Sequence, residues 1–247
     1  MAFVAGLDLG KVADFSALAV LEKRPAPAPT RRRRHLYAVR WLETWELGTA
    51  YAAIIAGVKA RFDTPALRWS ALAVDYTGVG TAVVEQIRGV RVPARLHPVL
   101  ITAGHTVQPP DPQADPPRRE WHVPKKELVS TLLVLLQAGL VKWADPKTLP
   151  RDGDAGRFRQ MLVKLEKELA DFRVKLTRAA NETFGADGSQ HDDLVLAVAL
   201  AAWLGEHTGG GDPRGIGTAA GPPVASAAAA PPGVFASAPR ESAWRPS

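Results

Sequence analysis

There is no cysteine in the 247 residues of this chain. That excludes disulfides, thiolate zinc centres and thiol nucleophiles, and it agrees with a reducing compartment. Long apolar runs are missing too. None approaches the roughly 20 residues a helix needs to cross a bilayer, so no membrane partner is expected. The segment Met1-Ala-Phe-Val-Ala-Gly-Leu-Asp8 has no basic leader, and a carboxylate interrupts its apolar run. It reads as a strand and not as a signal peptide, so a cytoplasmic protein is expected. Nor does the chain hold a Gly-x-x-x-x-Gly-Lys-Ser/Thr loop, which excludes a P-loop motor within it.

What is present suits one α/β domain with an appendage. Hydrophobic residues make up 46% of the chain, enough for a packed core. The net charge is +6, and the sequence pI lies near 9.8. Residues 205–247 carry three positive side chains (Arg214, Arg240, Arg245) against three negative (Glu206, Asp212, Glu241), so the excess belongs to residues 1–204. A basic body favours a polyanionic partner such as nucleic acid. Residues 205–247 are rich in Gly, Ala, Pro and Ser and cannot bury enough surface to order themselves, which predicts a disordered tail after a domain spanning 1–204. Two other low-complexity pieces are the run from Arg24 to Arg34 and the stretch from His105 to Arg119, which holds five prolines.

Between these pieces the patterning predicts strands at Phe3–Leu9, Ser16–Glu22 and His35–Glu46, and a helix at Thr49–Phe62. A doubly buried strand follows at Trp69–Tyr76, then a helix at Val79–Arg88 and a strand at Leu96–Thr102. Lys125–Gln137 and Arg157–Leu169 have helical spacing. Phe172–Arg178 alternates apolar and polar residues and predicts a half-exposed strand. His191–Leu204 is apolar nearly all round, the pattern of a buried helix. Tight early connections imply an antiparallel trio, and helical crossovers imply parallel additions. The expectation is a mixed five-stranded α/β sheet flanked by helices, an order that resembles the RNase H-like fold.

Asp8 and Asp75 each stand at the exit of an apolar strand, while Asp192 and Asp193 open the buried C-terminal helix. Buried carboxylates are costly to desolvate and call for a cation or strong donors. Oxygen ligands without thiols suit Mg²⁺ or Mn²⁺. Taken singly, each acid also has a structural reading. Asp8 and Asp75 could accept hydrogen bonds in glycine turns, and the Asp192/Asp193 pair could favour the helix dipole while Ser189 caps. The predicted order of elements places all of them on one edge, which favours a shared cation.

These motifs resemble the nuclease domain of the phage and herpesvirus-type terminase large subunit. The matching stretches are Gly6-Leu-Asp8 with Asp14-Phe-Ser16, Val74-Asp-Tyr-Thr-Gly78, Ile101-Thr-Ala-Gly104, Val123-Pro-Lys-Lys-Glu-Leu128 leading to Gln137-Ala-Gly-Leu140, and His191-Asp-Asp-Leu194. They span roughly residues 3–204, and the His-Asp-Asp motif is the most specific. The resemblance implies a two-metal DNA endonuclease acting in viral DNA packaging, in which Asp8, Asp75, Asp192 and Asp193 bind two Mg²⁺ or Mn²⁺ ions about 4 Å apart. Asp8 would bridge them, and Asp14 is an auxiliary or turn acid. It also implies double-stranded DNA as substrate, a bacterial host cell with a phage or prophage origin, and a separate packaging ATPase, small terminase or portal as partner.

Arg31, Arg32, Arg33 and Arg34 could grip phosphates or form a solvated basic loop. Lys125, and Arg173 with Lys175 on the exposed face of the predicted strand, are further candidates for DNA contact. His191 could move a proton or cap the helix. Two other readings stay open. A Holliday-junction-resolvase-like nuclease would use a comparable acidic set. An actin-like or sugar-kinase ATPase domain would use Gly6-Leu-Asp-Leu-Gly-Lys11 and Asp75-Tyr-Thr-Gly-Val-Gly-Thr81 as phosphate loops.

Overall fold

The computed structural model describes residues 2–10, 15–26, 35–75, 77–78, 81–114, 117–179, 192–208 and 244–246, without the side chains of 81, 173–179 and 244–246. Strands β1 (Ala2–Asp8), β2 (Ser16–Pro25) and β3 (His35–Trp45) follow one another as an antiparallel trio. Val4 to Asp8 of β1 and Ser16 to Lys23 of β2 are buried without a break, as in strands covered on both faces. The chain crosses through α1 (Tyr51–Phe62) to β4 (Ala71–Asp75), parallel to β1. It then crosses through α2 (Thr81–Gly89) to β5 (Arg95–Thr102), parallel to β4.

Strand β6 (Trp121–Pro124) extends this edge, and α3 (Lys125–Gln137) returns the chain to the other. There β7 (Val141–Ala144) lies parallel to β3, and β8 (Trp244–Pro246) lies antiparallel to β7. Helices α4 (Gly153–Ala179) and α5 (Asp193–His207) follow. The sheet order is β6-β5-β4-β1-β2-β3-β7-β8. The run β3-β2-β1-β4-β5 contains the expected antiparallel trio and parallel additions, and the fold is RNase H-like.

Three expectations are corrected. The sheet has eight strands and not five, because β6, β7 and β8 add at its two edges. Each is only three or four residues long, too short to show alternation, and exists by pairing with a neighbour. The predicted strand Phe172–Arg178 is instead the last part of α4. Its seven residues alternate, but Leu165, Leu169 and Phe172 continue the spacing of Phe158 and Leu162, and that longer helical period prevails. Last, α5 runs to His207, past the expected boundary at Leu204, and β8 lies inside the segment expected to be a tail.

Helix α5 organises the core. It lies across β1, β2 and β4, with α3 and α4 beside it, while α1 packs on α2. Its approach to the sheet depends on Gly6. A Cβ there would lie 2.2 Å from the Ala197 carbonyl oxygen, 2.7 Å from the Ala201 nitrogen and 2.9 Å from the Leu200 Cβ. Only glycine lets the helix backbone rest on β1. At the far end of α5, Lys23 Nζ donates to the carbonyls of Gly205 and Thr208, and Tyr37 donates to Glu206 Oε1 at 2.6 Å. The lysine thus satisfies terminal carbonyls and complements the helix dipole. Trp203, fully buried, meets Trp121 edge-on at 5.3 Å and stacks on His207 at 4.4 Å.

Among the described residues, no helix is long and apolar enough to cross a membrane.

A candidate acidic centre at the strand ends

Asp8 closes β1 and Asp75 closes β4, and the two are paired neighbours in the parallel register. Side chains two apart on a strand share a face, so Asp8 lies on the Gly6 side of β1, the side on which α5 packs. In-register neighbours share that face as well, which places Asp75 beside Asp8. The tight contact at Gly6 holds Ala197 of α5 against β1, and the first turn of the same helix carries Asp193, with Asp192 at its N-cap. Asp8, Asp75 and Asp193 are all buried. The side chain of Asp192 is partly exposed, with Lys125 Nζ 3.8 Å from its Oδ2.

The charges respond to this gathering. Burial holds the Asp8 carboxyl well above the ordinary carboxylate range, and the charges of Asp75, Asp193 and Asp192 push it further, with Lys125 opposing. Asp75, Asp193 and Asp192 therefore act on Asp8 even though β1, β4 and α5 are far apart in the chain. Asp75 is oriented locally: its Oδ1 accepts the Thr77 N–H at 2.8 Å, and the Thr77 hydroxyl accepts the Ile101 N–H of β5 at 2.8 Å. Tyr51 on α1 donates to the Gly10 carbonyl at 3.0 Å, while Ser16 Oγ accepts the Gly10 N–H at 3.1 Å, fixing the backbone two residues after Asp8.

Among the described residues, no group of three or more His, Asp or Glu side chains is gathered tightly enough to hold a metal ion as it stands. Local donors account for this. Asp75 faces its own turn, and Asp192 faces Lys125. The chemistry of the donor set nonetheless fits a hard divalent cation. Burial and the charges of the other three acids raise the Asp8 carboxyl, a strain that a divalent cation would relieve, and the four acids offer only hard oxygen donors.

One residue of the site escaped sequence reasoning. Glu168 of α4 is buried, and its Oε2 accepts the Leu194 N–H at 3.0 Å and the Val195 N–H at 3.3 Å. These are amides of the first turn of α5, which an N-cap side chain ordinarily takes. Asp192 makes no side-chain capping bond. Burial raises the Glu168 carboxyl to about 7, with Asp193 adding to the rise and with Lys164 and the two amides opposing it. The signal was a carboxylate set among Leu165, Leu169 and Phe172 on the apolar side of α4.

The remaining candidates divide. Lys125 begins α3 immediately after Pro124 and stands at the acidic centre, more than half exposed. Next to it in the chain, Lys126 contacts the Nδ1 of His105. Arg173 and Lys175 fall on the last turns of α4 and not on a strand, and their side chains lie outside the described part of the structure. Arg31, Arg32, Arg33, Arg34, Asp14, Ser189 and His191 lie outside the described residues.

No family model matches the chain, and no curated protein matches it. Its fold is similar to solved terminase nucleases. The large terminase nuclease of thermophilic phage G20c with bound zinc aligns at 20% identity and a TM-score of 0.43, covering 81% of this chain and 79% of that one. The same nuclease in a second crystal structure gives 20% identity and a TM-score of 0.44, covering 81% and 80%. The human cytomegalovirus terminase nuclease domain, Mn-soaked and inhibitor-bound, gives 14% identity and a TM-score of 0.47, covering 82% of each chain.

Proposed function

We propose that this chain is a metal-dependent DNA endonuclease of the terminase type, hydrolysing phosphodiester bonds at the acidic centre. The observation that carries the reading is the gathering of Asp8 with Asp75, Asp193 and Asp192, from β1, β4 and the start of α5, where burial and then the three neighbouring charges push the Asp8 carboxyl well above the ordinary carboxylate range. Asp8, Asp75, Asp192 and Asp193 would hold Mg²⁺ or Mn²⁺, two ions in the full site. Bound there, divalent cations supply Lewis-acid polarisation of a phosphodiester and acidify the attacking water. The chain's own residues do the rest. Asp8 is the acid on which the charges of the other three act. The Thr77 N–H orients Asp75. Lys125 balances the negative centre and offers a cation to a phosphate entering beside Asp192.

The net charge of +6 and Lys125 beside the acids support double-stranded DNA as substrate. A cytoplasmic phage or prophage protein working with a separate packaging ATPase, small terminase or portal completes the proposal. The test is incubation with supercoiled plasmid with and without Mn²⁺, alongside thermal melting. Wild type should nick plasmid only with the metal and melt higher as Mn²⁺ is added. Asp8→Asn should lose both effects while the metal-free protein stays at least as stable as wild type, because a repelling buried acid is gone. Asp8→Asn that cuts normally, or that melts far below wild type yet keeps the Mn²⁺ shift, would make Asp8 a structural acid and sink the assignment.

A further inference from the structure

We propose that Glu168 is a positioning residue for the acidic centre: by accepting the first-turn amides of α5 from outside that helix, it takes over the capping role and leaves the Asp192 carboxylate for the cation site. This role rests on the reading of that centre as a metal-dependent nuclease site. Two demands conflict at the helix start. An aspartate at an N-cap ordinarily turns its carboxylate back onto the amides two or three residues on. A carboxylate so engaged is aimed along its own helix and is poorly placed to hold an ion beyond it.

In this protein the conflict is resolved by a second carboxylate, on α4, 24 residues before Asp192 in the chain. Glu168 Oε2 takes the Leu194 N–H at 3.0 Å and the Val195 N–H at 3.3 Å. The side chain of Asp192 makes no capping bond and points where Lys125 Nζ can approach to 3.8 Å. Asp193 stays buried and close enough to Asp8 to raise its pKa. Glu168 is itself anchored, since Lys164, one turn earlier on α4, lies 3.8 Å from Oε1, and the aliphatic neighbours of α4 are packed in the core. The placement costs desolvation of a carboxyl group, a cost that an ordinary Ser or Asp cap would avoid. What it provides is a helix start whose first-turn amides are satisfied without the Asp192 side chain.

The experiment compares wild type, Glu168→Ala, Glu168→Gln and Glu168→Asp. Mn²⁺ binding is read from loss of the free-ion electron paramagnetic resonance signal, and kcat and KM are measured for plasmid nicking. Exchange of the Leu194 and Val195 amides is followed in metal-free protein. Residues that orient metal ligands typically govern affinity by about 10- to 100-fold, and Glu168→Ala should weaken Mn²⁺ by that much. It should lower kcat with KM for DNA within about threefold of wild type, and speed exchange at both amides. Glu168→Gln keeps a carbonyl oxygen at the same reach and should restore amide protection and most of the Mn²⁺ affinity.

If Glu168→Ala does not fold, Glu168→Asp carries the test. Its acceptor is retracted by one methylene, and the same losses are expected in a folded protein. A folded Ala or Asp variant with wild-type Mn²⁺ affinity and kcat, even with faster amide exchange, would show a cap that stabilises the helix and nothing more, and overturns the proposal. Wild type that binds no Mn²⁺ would sink the nuclease reading, and this role with it. Wild type that binds Mn²⁺ beside a variant that binds it equally well would sink this role alone.

Discussion

The contact between Gly6 and α5 is the place where packing and the acidic centre are most directly joined, and Gly6→Ala tests it. The added methyl would meet the Ala197 carbonyl oxygen at 2.2 Å and the Ala201 nitrogen at 2.7 Å, both backbone atoms that cannot rotate away. Ordinary contact begins near 3.4 Å, so α5 must lift from β1 by about 1 Å. Overpacking of this kind costs typically 1–3 kcal/mol and sometimes more, and rigid backbone on the opposing side argues for about 3 kcal/mol. In a domain of this size that corresponds to a fall in Tm of roughly 6–12 °C.

The displacement also reaches the site. Asp8 lies two residues after Gly6 on the same face, and Asp193 lies one turn before Ala197. A shift of about 1 Å between catalytic groups can reduce rate on the order of a hundredfold, so plasmid nicking measured well below Tm should fall by that factor. Gly89→Ala is the control. Nothing lies within 4 Å of a Cβ built there, and the end of α2 accepts alanine, so stability should hold or rise by up to about 1 kcal/mol. Thermal melting in EDTA and nicking in Mn²⁺ would read both variants. Gly6→Ala with wild-type Tm and wild-type rate would refute the claim that α5 is seated on β1 at this glycine.

Three other outcomes are expected. Glu168 titrates near 7 in the folded protein against 4.5 as its ordinary value, so the proton it binds stabilises the fold fully below about pH 4.5 and that stability is lost as pH rises through 7. The loss is on the order of 3 kcal/mol at most, Asp8 adds to it in the same direction, and melting in EDTA from pH 4.5 to 8 should show a falling Tm whose slope Glu168→Gln reduces. Arg40 is buried against Glu22, its Nε donating to Oε2 at 2.7 Å, while Arg24 holds the other oxygen at 2.7 Å. Arg40→Ala should cost about 3 kcal/mol by urea unfolding, whereas the paired change Arg40→Met with Glu22→Leu should come close to wild type; equal losses would mean the pair is not acting as one. Truncation after Thr208 should keep fold and nicking rate, whereas truncation after Leu204 removes the Gly205 and Thr208 carbonyls held by Lys23 and the Glu206 partner of Tyr37, and should lower Tm; identical melting of the two would show that these contacts contribute nothing.

The central strands and the acids at their ends were legible in the sequence, because both signals are local. Runs such as Ala71-Leu-Ala-Val74 must be buried on two faces, and a carboxylate closing such a run is conspicuous. The buried C-terminal helix was legible for the same reason, since no surface helix is apolar all round. The edges of the sheet were not. Four-residue strands such as Trp121–Pro124 and Val141–Ala144 have no period of their own and form only where a neighbour offers unpaired backbone groups. The end of α4 misled because seven alternating residues fit period 2, while the helix that claims them is specified by apolar positions further back. The register that sets Asp8 beside Asp75 was decided by sheet pairing, and the approach of Asp193 by the missing side chain at Gly6. Glu168 marks the limit of sequence reading. A carboxylate on an apolar stripe can be noticed, but which helix start it serves depends on how α4 lies against α5, and no spacing along the chain encodes that.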